Sequence, residues 1–262
     1  MSMAKTTAAF EIACIDLVIA NRVLARVGAV DAYGHVSVRN PDNPNEFLLS
    51  RSLSPEFVTR DDIMRFDLDG RTLHDDNRPP YLERFIHAAV YAKRPDVHSV
   101  VHGHPRALLP FTVTDLKLRP VFMTADEFGA DVPVWDIRDR FGDTNMLIVN
   151  IEQGHDLAAC LAGGARVVLV RGHGFIGAGR SASQLIRLCK ALLDNAALIL
   201  EASRFGAIKE LTPGELAARQ QSVADDDMPA VMRGFEYDAI QAGCADLMKQ
   251  RAALRAELNS KA

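Results

Sequence analysis

Three histidines stand at the ends of apolar runs, where their imidazoles could bind one metal ion. His102 and His104 are two residues apart in VVHGH, and His173 lies between two glycines in RGHGF. Alternate residues of a strand point to the same face, so the first two imidazoles can reach one point. Three neutral imidazoles suit a divalent cation and leave one coordination position open. A set of unrelated histidines bonded to backbone carbonyls is the alternative, and the pattern alone does not exclude it.

Glu83 is a candidate acid/base group upstream of these histidines. It lies in YLERFIH, a segment with helical periodicity that follows a pair of prolines. A carboxylate beside a bound substrate can move a proton, with a pKa set by its burial. His87, one helical turn later, shares the face of Glu83 and could be its partner or a core residue. A surface glutamate paired with Arg84 or Lys93 is the alternative for Glu83.

The composition is that of an ordinary globular protein. Of 262 residues, 48% are hydrophobic and 24% are charged, and the net charge is −4. This charge gives no electrostatic reason to expect nucleic acid or an anionic membrane as a partner. The first 28 residues show an amphipathic helical pattern instead of a secretion signal, and the four cysteines have no paired spacing. No apolar run reaches the length of a membrane span. We therefore expect a cytoplasmic protein with reduced thiols.

Strands and helices alternate irregularly along the chain, and no repeat or linker divides it. Period-2 patterns and short apolar runs predict strands in 35–39, 47–49, 62–73, 97–104, 119–128, 132–137, 144–150, 166–170 and 174–181, the last as a strand or turn. Helices are expected in the first 28 residues, in 81–94, around 154–164 and after Ser181 to Gly206. Two more helices should follow, separated by 223–238. These elements predict one α/β or α+β domain with a helical C-terminal extension.

In their order, these motifs resemble the class II aldolase/adducin family. The family pattern of G-N-[VI]-S-x-R, P-S-S-E, H-x-H, N-H-G and G-[RK]-[ST] is matched by GHVSVR, PYLE, HGH, GHG and GRS, from Gly34 to Ser181. The resemblance implies an αβα-layered α/β domain with a central, mainly antiparallel sheet. We assign residues 1–210 to this catalytic domain and residues 211–262 to a helical extension of the same domain. The resemblance also implies a homotetramer with sites between subunits.

The resemblance further implies the chemistry of the site. One divalent metal ion per chain is expected on His102, His104 and His173, with zinc or manganese favoured and cobalt or iron as alternatives. Glu83 would be the acid/base group, and His87 is a second candidate for delivering a proton. Members of the family use the metal to take up the negative charge of an enolate when a carbon–carbon bond breaks. Adducin heads keep the fold for assembly without the metal histidines, and they supply a non-catalytic alternative.

The departures from the family pattern concern the substrate. His35 stands where sugar-phosphate members have Asn, Arg51 and Ser52 lie in the altered phosphate-binding turn, and Tyr81 and Leu82 replace two serines. Bulkier, partly apolar or cationic groups replace the small donors of a phosphate cradle, so we do not expect a phosphorylated substrate. Arg51 offers a planar fork for a carboxylate, although a solvated turn residue is equally consistent with the sequence. His35, Ser52 and Tyr81 complete the predicted substrate-binding set.

The sequence therefore predicts a metal-dependent carbon–carbon lyase that acts on a small hydroxylated carboxylate. Decarboxylation of an aromatic or heteroaromatic hydroxy-acid is favoured. Retro-aldol cleavage of a non-phosphorylated hydroxy-keto acid or sugar is the close alternative, because both reactions need the same metal and the same charge sink. No nucleic acid and no membrane is expected as a partner.

Overall fold

The computed structural model describes residues 6–222 and 226–260. The expected domain limits, 1–210 and 211–262, thus include residues 1–5, 223–225 and 261–262, which lie outside the described part. Within that part, one sheet lies between two layers of helices, and the helices after residue 210 pack on the same body. The chain is therefore a single domain, and the boundary between 210 and 211 stays a prediction.

Seven strands in the described part form the sheet. They are β1 (His35–Arg39), β2 (Glu46–Ser50), β3 (Ile63–Asp67), β4 (Ser99–Gly103), β5 (Val134–Trp135), β6 (Val167–Val170) and β7 (Gly174–Gly179). Their order is β3-β2-β1-β4-β7-β6-β5, and all neighbours are antiparallel except β5 and β6. The expected αβα-layered α/β fold with a mainly antiparallel sheet is confirmed.

The helices of the described part cover both faces of the sheet. They are α1 (Ala8–Arg26), α2 (Arg84–Lys93), α3 (Leu109–Val113), α4 (Arg138–Phe141), α5 (Ile151–Ala159), α6 (Ala182–Ala202), α7 (Pro213–Ser222), α8 (Pro229–Gln241) and α9 (Ala245–Ser260). Packing of α1 and α6 covers one face, and α2 and α5 cover the other. Ser181 caps α6 as predicted, since its side chain accepts a hydrogen bond from the Gln184 N–H at 3.0 Å. None of these helices is long and apolar enough to cross a bilayer.

Alternation along the central strands decides which face carries the polar residues. Val36 and Val38 of β1 pack in the core beneath α1 and α6. His35 and Ser37 alternate with these valines and therefore point toward α2, where they contact its side chains. His102 of β4 lies directly opposite His35 in the sheet. The polar face of the two central strands is thus the face covered by α2.

Two predicted strands are wrong. Residues 119–128 contain a short 3₁₀ turn, Met123–Glu127, and residues 144–150 are irregular, with Met146 at φ +68° and no strand partner. Their backbone donors bond to side chains: the Val121 N–H to Asn195 and the Ile148 N–H to Glu83. The apolar pattern of these segments indicates that they are buried. Packing against a layer of helices buries them without a strand partner.

The extension after Gly206 also differs from its prediction. Three helices, α7, α8 and α9, follow Gly206 in the described part instead of two, and α8, residues 229–241, begins inside the expected separator. Residues 223–225 of that separator lie outside the described part. Pro229 is the first residue of α8, a position where its missing N–H costs nothing. The helix α9 joins α1 through Arg251, whose Nε donates to Asp16 Oδ1 at 2.5 Å.

Candidate metal centre and substrate cavity

Four side chains converge beside the ends of β4 and β7. They are Glu83, His102, His104 and His173, and their candidate ligand atoms all lie within 4.8 Å of one another. His102 belongs to β4, His104 follows it directly, and His173 occupies the turn between β6 and β7. The helix α2 begins at Arg84, so Glu83 holds its N-terminal cap position instead of lying within the helix. The structure therefore brings the three predicted metal ligands and the predicted acid/base group together.

The distances within this cluster suit a small divalent ion. His102 Nε2 lies 3.0 Å from His104 Nε2, and Glu83 Oε2 lies 3.4 Å from His102 Nε2 and 3.7 Å from His173 Nε2. A tetrahedral ion with bonds of about 2.0–2.1 Å to nitrogen needs ligand atoms about 3.3 Å apart. The donor set of three imidazoles and one carboxylate is one that zinc and similar ions accept. The residues present thus fit a divalent metal.

Hydrogen bonds on the far side of two imidazoles set their tautomers. His102 Nδ1 lies 3.0 Å from the Phe175 carbonyl oxygen, and His104 Nδ1 lies 3.0 Å from Asp31 Oδ1. A carbonyl and a carboxylate can only accept, so each Nδ1 carries the proton. Each Nε2 then presents a lone pair toward the cluster, which is the form that binds a metal.

Two glycines explain how His173 reaches the other histidines. Gly172 has φ +61°, a left-handed conformation that side chains with a Cβ rarely adopt, and it turns the chain after β6. A Cβ on Gly174 would lie 2.2 Å from the Gly103 carbonyl oxygen. Glycine at 174 therefore permits the close approach of β7 to β4 that places His173 beside His104.

The electrostatics of the cluster keep Glu83, His104 and His173 in metal-binding forms. Burial, followed by the charge of His102, lowers the pKa of His173 to about 4, and the same causes lower the pKa of His104. Burial alone would raise the pKa of Glu83, but His102, His173 and the Ile148 N–H together lower it to about 2. Ile148 donates to Glu83 Oε1 at 2.9 Å, so Oε2 is left facing the imidazoles. The carboxylate is ionised at neutral pH.

A cavity of about 700 Å³ opens beside the cluster, and Glu83, His104 and His173 form part of its wall. Much of the remaining wall is apolar or aromatic, from Tyr33, Leu53, Tyr81, Leu82 and Leu147. Small polar groups are supplied by His35, Ser52 and Ser54. No lysine or arginine lines the cavity within the described residues. The chamber therefore has room and chemistry for a flat organic molecule.

Of the predicted substrate-binding residues, His35, Ser52 and Tyr81 line this cavity and Arg51 does not. The Arg51 Nε donates to Asp62 Oδ1 at 2.7 Å, and its side chain is 37% exposed. Its expected contact with a substrate carboxylate stays a prediction.

Like the predicted metal ligand His102, His87 does not reach the cavity wall. It is fully buried behind His35, with its Nε2 2.6 Å from His35 Nδ1 and its Nδ1 2.6 Å from Ser37 Oγ. Burial, followed by the charge of His102, lowers its pKa to about 3, so the ring is neutral. Within the described part of the chain, the hydrogen bonds of His87 are to His35 and Ser37, and its direct delivery of a proton stays a prediction.

Two groups of the site were missed from the sequence. Asp31 holds His104, and its Oδ1 also accepts hydrogen bonds from the Tyr33 and Gly34 N–H groups at 3.0 and 2.9 Å. The signal for Asp31 was an aspartate-to-glycine turn directly before the strand that carries His35. The Ile148 N–H that holds Glu83 has no such signal, because a backbone donor does not depend on residue type.

Comparisons with known proteins agree with this geometry. A family model described as "Class II Aldolase and Adducin N-terminal domain" matches residues 15–200. Decarboxylase tropJ of Talaromyces stipitatus is 36% identical over 186 residues, which cover 66% of this chain and 70% of the relative. A 3,4-dihydroxyphthalate decarboxylase of Arthrobacter keyseri is 29% identical over 219 residues, covering 77% of this chain and 83% of the relative.

Among solved structures, an aldolase II superfamily protein from Pseudomonas syringae superposes with a TM-score of 0.76 at 22% identity, covering 93% of this chain and 96% of the other. At that identity the likeness shows the fold. The relatives with named activities place the chain among lyase-type enzymes. The match over residues 15–200 and the shared fold establish that the chain belongs to the class II aldolase and adducin family.

Proposed function

We propose that the chain decarboxylates a hydroxylated aromatic or heteroaromatic carboxylic acid, with zinc or manganese held by His102, His104 and His173. The observation that carries the proposal is the convergence of three imidazoles and the Glu83 carboxylate beside a cavity that has apolar sides. The two decarboxylase relatives support the choice of reaction. When bound, the metal supplies a Lewis acid for neighbouring substrate oxygens and neutralises the negative charge that develops as the carbon–carbon bond breaks.

The cavity walls favour a flat, non-phosphorylated substrate. An aromatic ring can pack between the apolar side chains of Leu53, Leu82 and Leu147, which all line the chamber. A phosphate would need several cationic or backbone donors, and no lysine or arginine of the described residues lines the cavity. Ser52 and Tyr81 offer single hydroxyl groups, enough for one or two oxygens of a hydroxy-acid.

We assign to Glu83 the transfer of the proton that decarboxylation requires. Its Oε1 accepts a hydrogen bond from the Ile148 N–H, and its ionised Oε2 faces the cluster, where it can accept the proton of a substrate hydroxyl. As carbon dioxide leaves, Glu83 Oε2 returns that proton to the ring carbon, and a proton from solvent restores the hydroxyl. The overall reaction replaces a carboxylate by hydrogen, and general acid–base help of this kind contributes about 10²–10⁴ in rate.

We further propose a homotetramer in which a second subunit covers the cavity mouth. Tyr33 and Leu82 line the cavity and are 78% and 65% exposed. Large apolar side chains at that exposure favour burial by another chain. A cytoplasmic location stays a prediction.

The test is carbon dioxide release from a panel of hydroxylated mono- and dicarboxylic aromatic acids, with protein loaded with zinc or manganese. His104→Ala should abolish metal binding and release together. His155→Ala is the matched control, because His155 is exposed on α5 and away from the cluster. Release should depend on metal in the wild type and in the control.

Two results would refute decarboxylation. Absence of release from protein that holds one metal per chain would favour retro-aldol cleavage of a hydroxy-keto acid, and the panel would be extended to such compounds. Protein that binds neither zinc nor manganese would instead favour a non-catalytic assembly module.

A further inference from the structure

A chain of buried hydrogen bonds runs from the cavity into the interior between β1 and α2. His35 Nδ1 lies 2.6 Å from His87 Nε2, His87 Nδ1 lies 2.6 Å from Ser37 Oγ, and Ser37 Oγ lies 2.8 Å from Tyr91 Oη. All four residues are at most 1% exposed. Of the four, only His35 reaches the cavity wall. We call these four residues the β1–α2 relay.

The relay forms because polar residues are spaced almost equally along β1 and α2. His35 and Ser37 are two residues apart on β1, a rise of about 6.6 Å. His87 and Tyr91 are four residues apart on α2, a rise of about 6.0 Å on one face. The near-equal spacings let each polar group of the strand meet one of the helix. An unsatisfied buried polar group is costly, so the pairs hold one another in place.

The hydrogen bonds of the relay can point in either of two directions, because each of its members can donate or accept a hydrogen bond. In the first direction, the Tyr91 hydroxyl donates to Ser37 Oγ, Ser37 donates to His87 Nδ1, and His87 Nε2–H donates to His35 Nδ1. A neutral imidazole carries one proton, so His35 then carries its proton on Nε2. In the second direction every proton is reversed, and His35 Nε2 has a lone pair instead.

The surroundings of Tyr91 favour the first direction. The Arg39 guanidinium lies 4.7 Å from the centroid of the Tyr91 ring, and its positive charge makes the phenol a better donor. Burial raises the pKa of Tyr91, so the phenol keeps its proton at neutral pH and has it to donate. This favours donation from the Tyr91 hydroxyl to Ser37 Oγ, 2.8 Å away.

His35 presents its remaining nitrogen to the substrate. The Nε2 atom has no hydrogen-bond partner among the described residues, and the ring centroid lies 5.2 Å from that of His102. The cavity lining in the described part has no lysine or arginine to contact an acidic oxygen. A neutral hydrogen-bond donor next to the metal cluster therefore supplies the contact to a substrate oxygen that no lysine or arginine of this lining provides.

We propose that Tyr91, Ser37 and His87 are positioning residues that hold His35 with its proton on Nε2, so that His35 donates a hydrogen bond to an oxygen of an acidic aromatic substrate. The tautomer stands independently of the reaction, and only the identity of the acceptor rests on the proposed function. His35 binds the substrate, and the other three residues act through it.

The proton positions are tested by neutron crystallography of the zinc-loaded wild-type protein in heavy water. Deuterons are expected on Tyr91 Oη toward Ser37, on His87 Nε2 and on His35 Nε2. A deuteron on His35 Nδ1 would overturn the proposal. Neither result depends on which reaction the enzyme catalyses, so a failure to decarboxylate any acid would leave the relay intact.

The consequence for binding is tested with salicylate as the probe, by titration calorimetry of the zinc-loaded protein. Ser37→Ala should weaken salicylate binding about tenfold without changing zinc affinity. The variant removes the hydrogen bond that orients His87, and His87 then no longer fixes the tautomer of His35. Ser99→Ala is the matched control: Ser99 is an equally buried serine on β4 whose Oγ donates to the Ser181 carbonyl at 2.7 Å. Equal weakening in both variants, or none in Ser37→Ala, would refute the positioning role.

Discussion

Removal of the Asp31 carboxylate tests how a residue outside the ligand set holds the metal cluster. Asp31→Ala deletes the oxygen 3.0 Å from His104 Nδ1 and the acceptor of two backbone N–H groups in the same turn. Asp31→Asn keeps an oxygen that can accept from His104 but removes the negative charge. The pair of variants therefore separates orientation of the imidazole from its polarisation by charge.

The expected magnitude follows from the exposure of the contact. Loss of such a partner behind a metal-binding histidine typically weakens metal binding by about 10–100-fold, which is about 1.4–2.7 kcal/mol. The Asp31 side chain is 48% exposed, so water screens its charge and places the effect at the lower end of this range. We expect about a tenfold loss of zinc affinity for Asp31→Ala and a smaller loss for Asp31→Asn.

The assay is competition for zinc between metal-free protein and a chromophoric chelator. Asp115→Asn is the control, because Asp115 is exposed and lies outside the cluster. Unchanged affinity in Asp31→Ala would show that the contact with His104 does not orient the ligand. A loss as complete as that of His104→Ala would make Asp31 itself a ligand and refute the four-residue cluster.

Three further variants test other contacts. Glu83→Gln should retain zinc but slow carbon dioxide release by about 100-fold or more, and an unchanged rate would assign the proton to another residue. Arg51→Ala should raise KM for acidic substrates with little change in kcat, whereas an unchanged KM would leave Arg51 only its contact with Asp62. Arg251→Met leaves Asp16 largely buried without its partner and should lower the free energy of unfolding in urea by about 3 kcal/mol. A loss below about 1 kcal/mol would show that this ion pair does not hold α9 on α1.

Local pattern predicted most of the elements around the site. The alternation of β1, the apolar run of β4 and the helical period of α2 each appear close to their expected positions. The pattern failed in 119–128 and 144–150, where backbone donors bond to side chains instead of a neighbouring strand. Apolar spacing indicates that a segment is buried, but a segment becomes a strand only if another strand is available beside it.

The sequence by itself determined the metal-binding pattern, because its geometry is local. Two histidines at strand spacing must share a face, and the glycines beside His173 permit its turn and its close approach. Only the tertiary structure decided which groups support these residues. The contacts of Glu83 with Ile148 and of Arg51 with Asp62 join positions on different elements. Periodicity specifies which face of an element is buried, but the partner on the opposing face depends on how the layers pack.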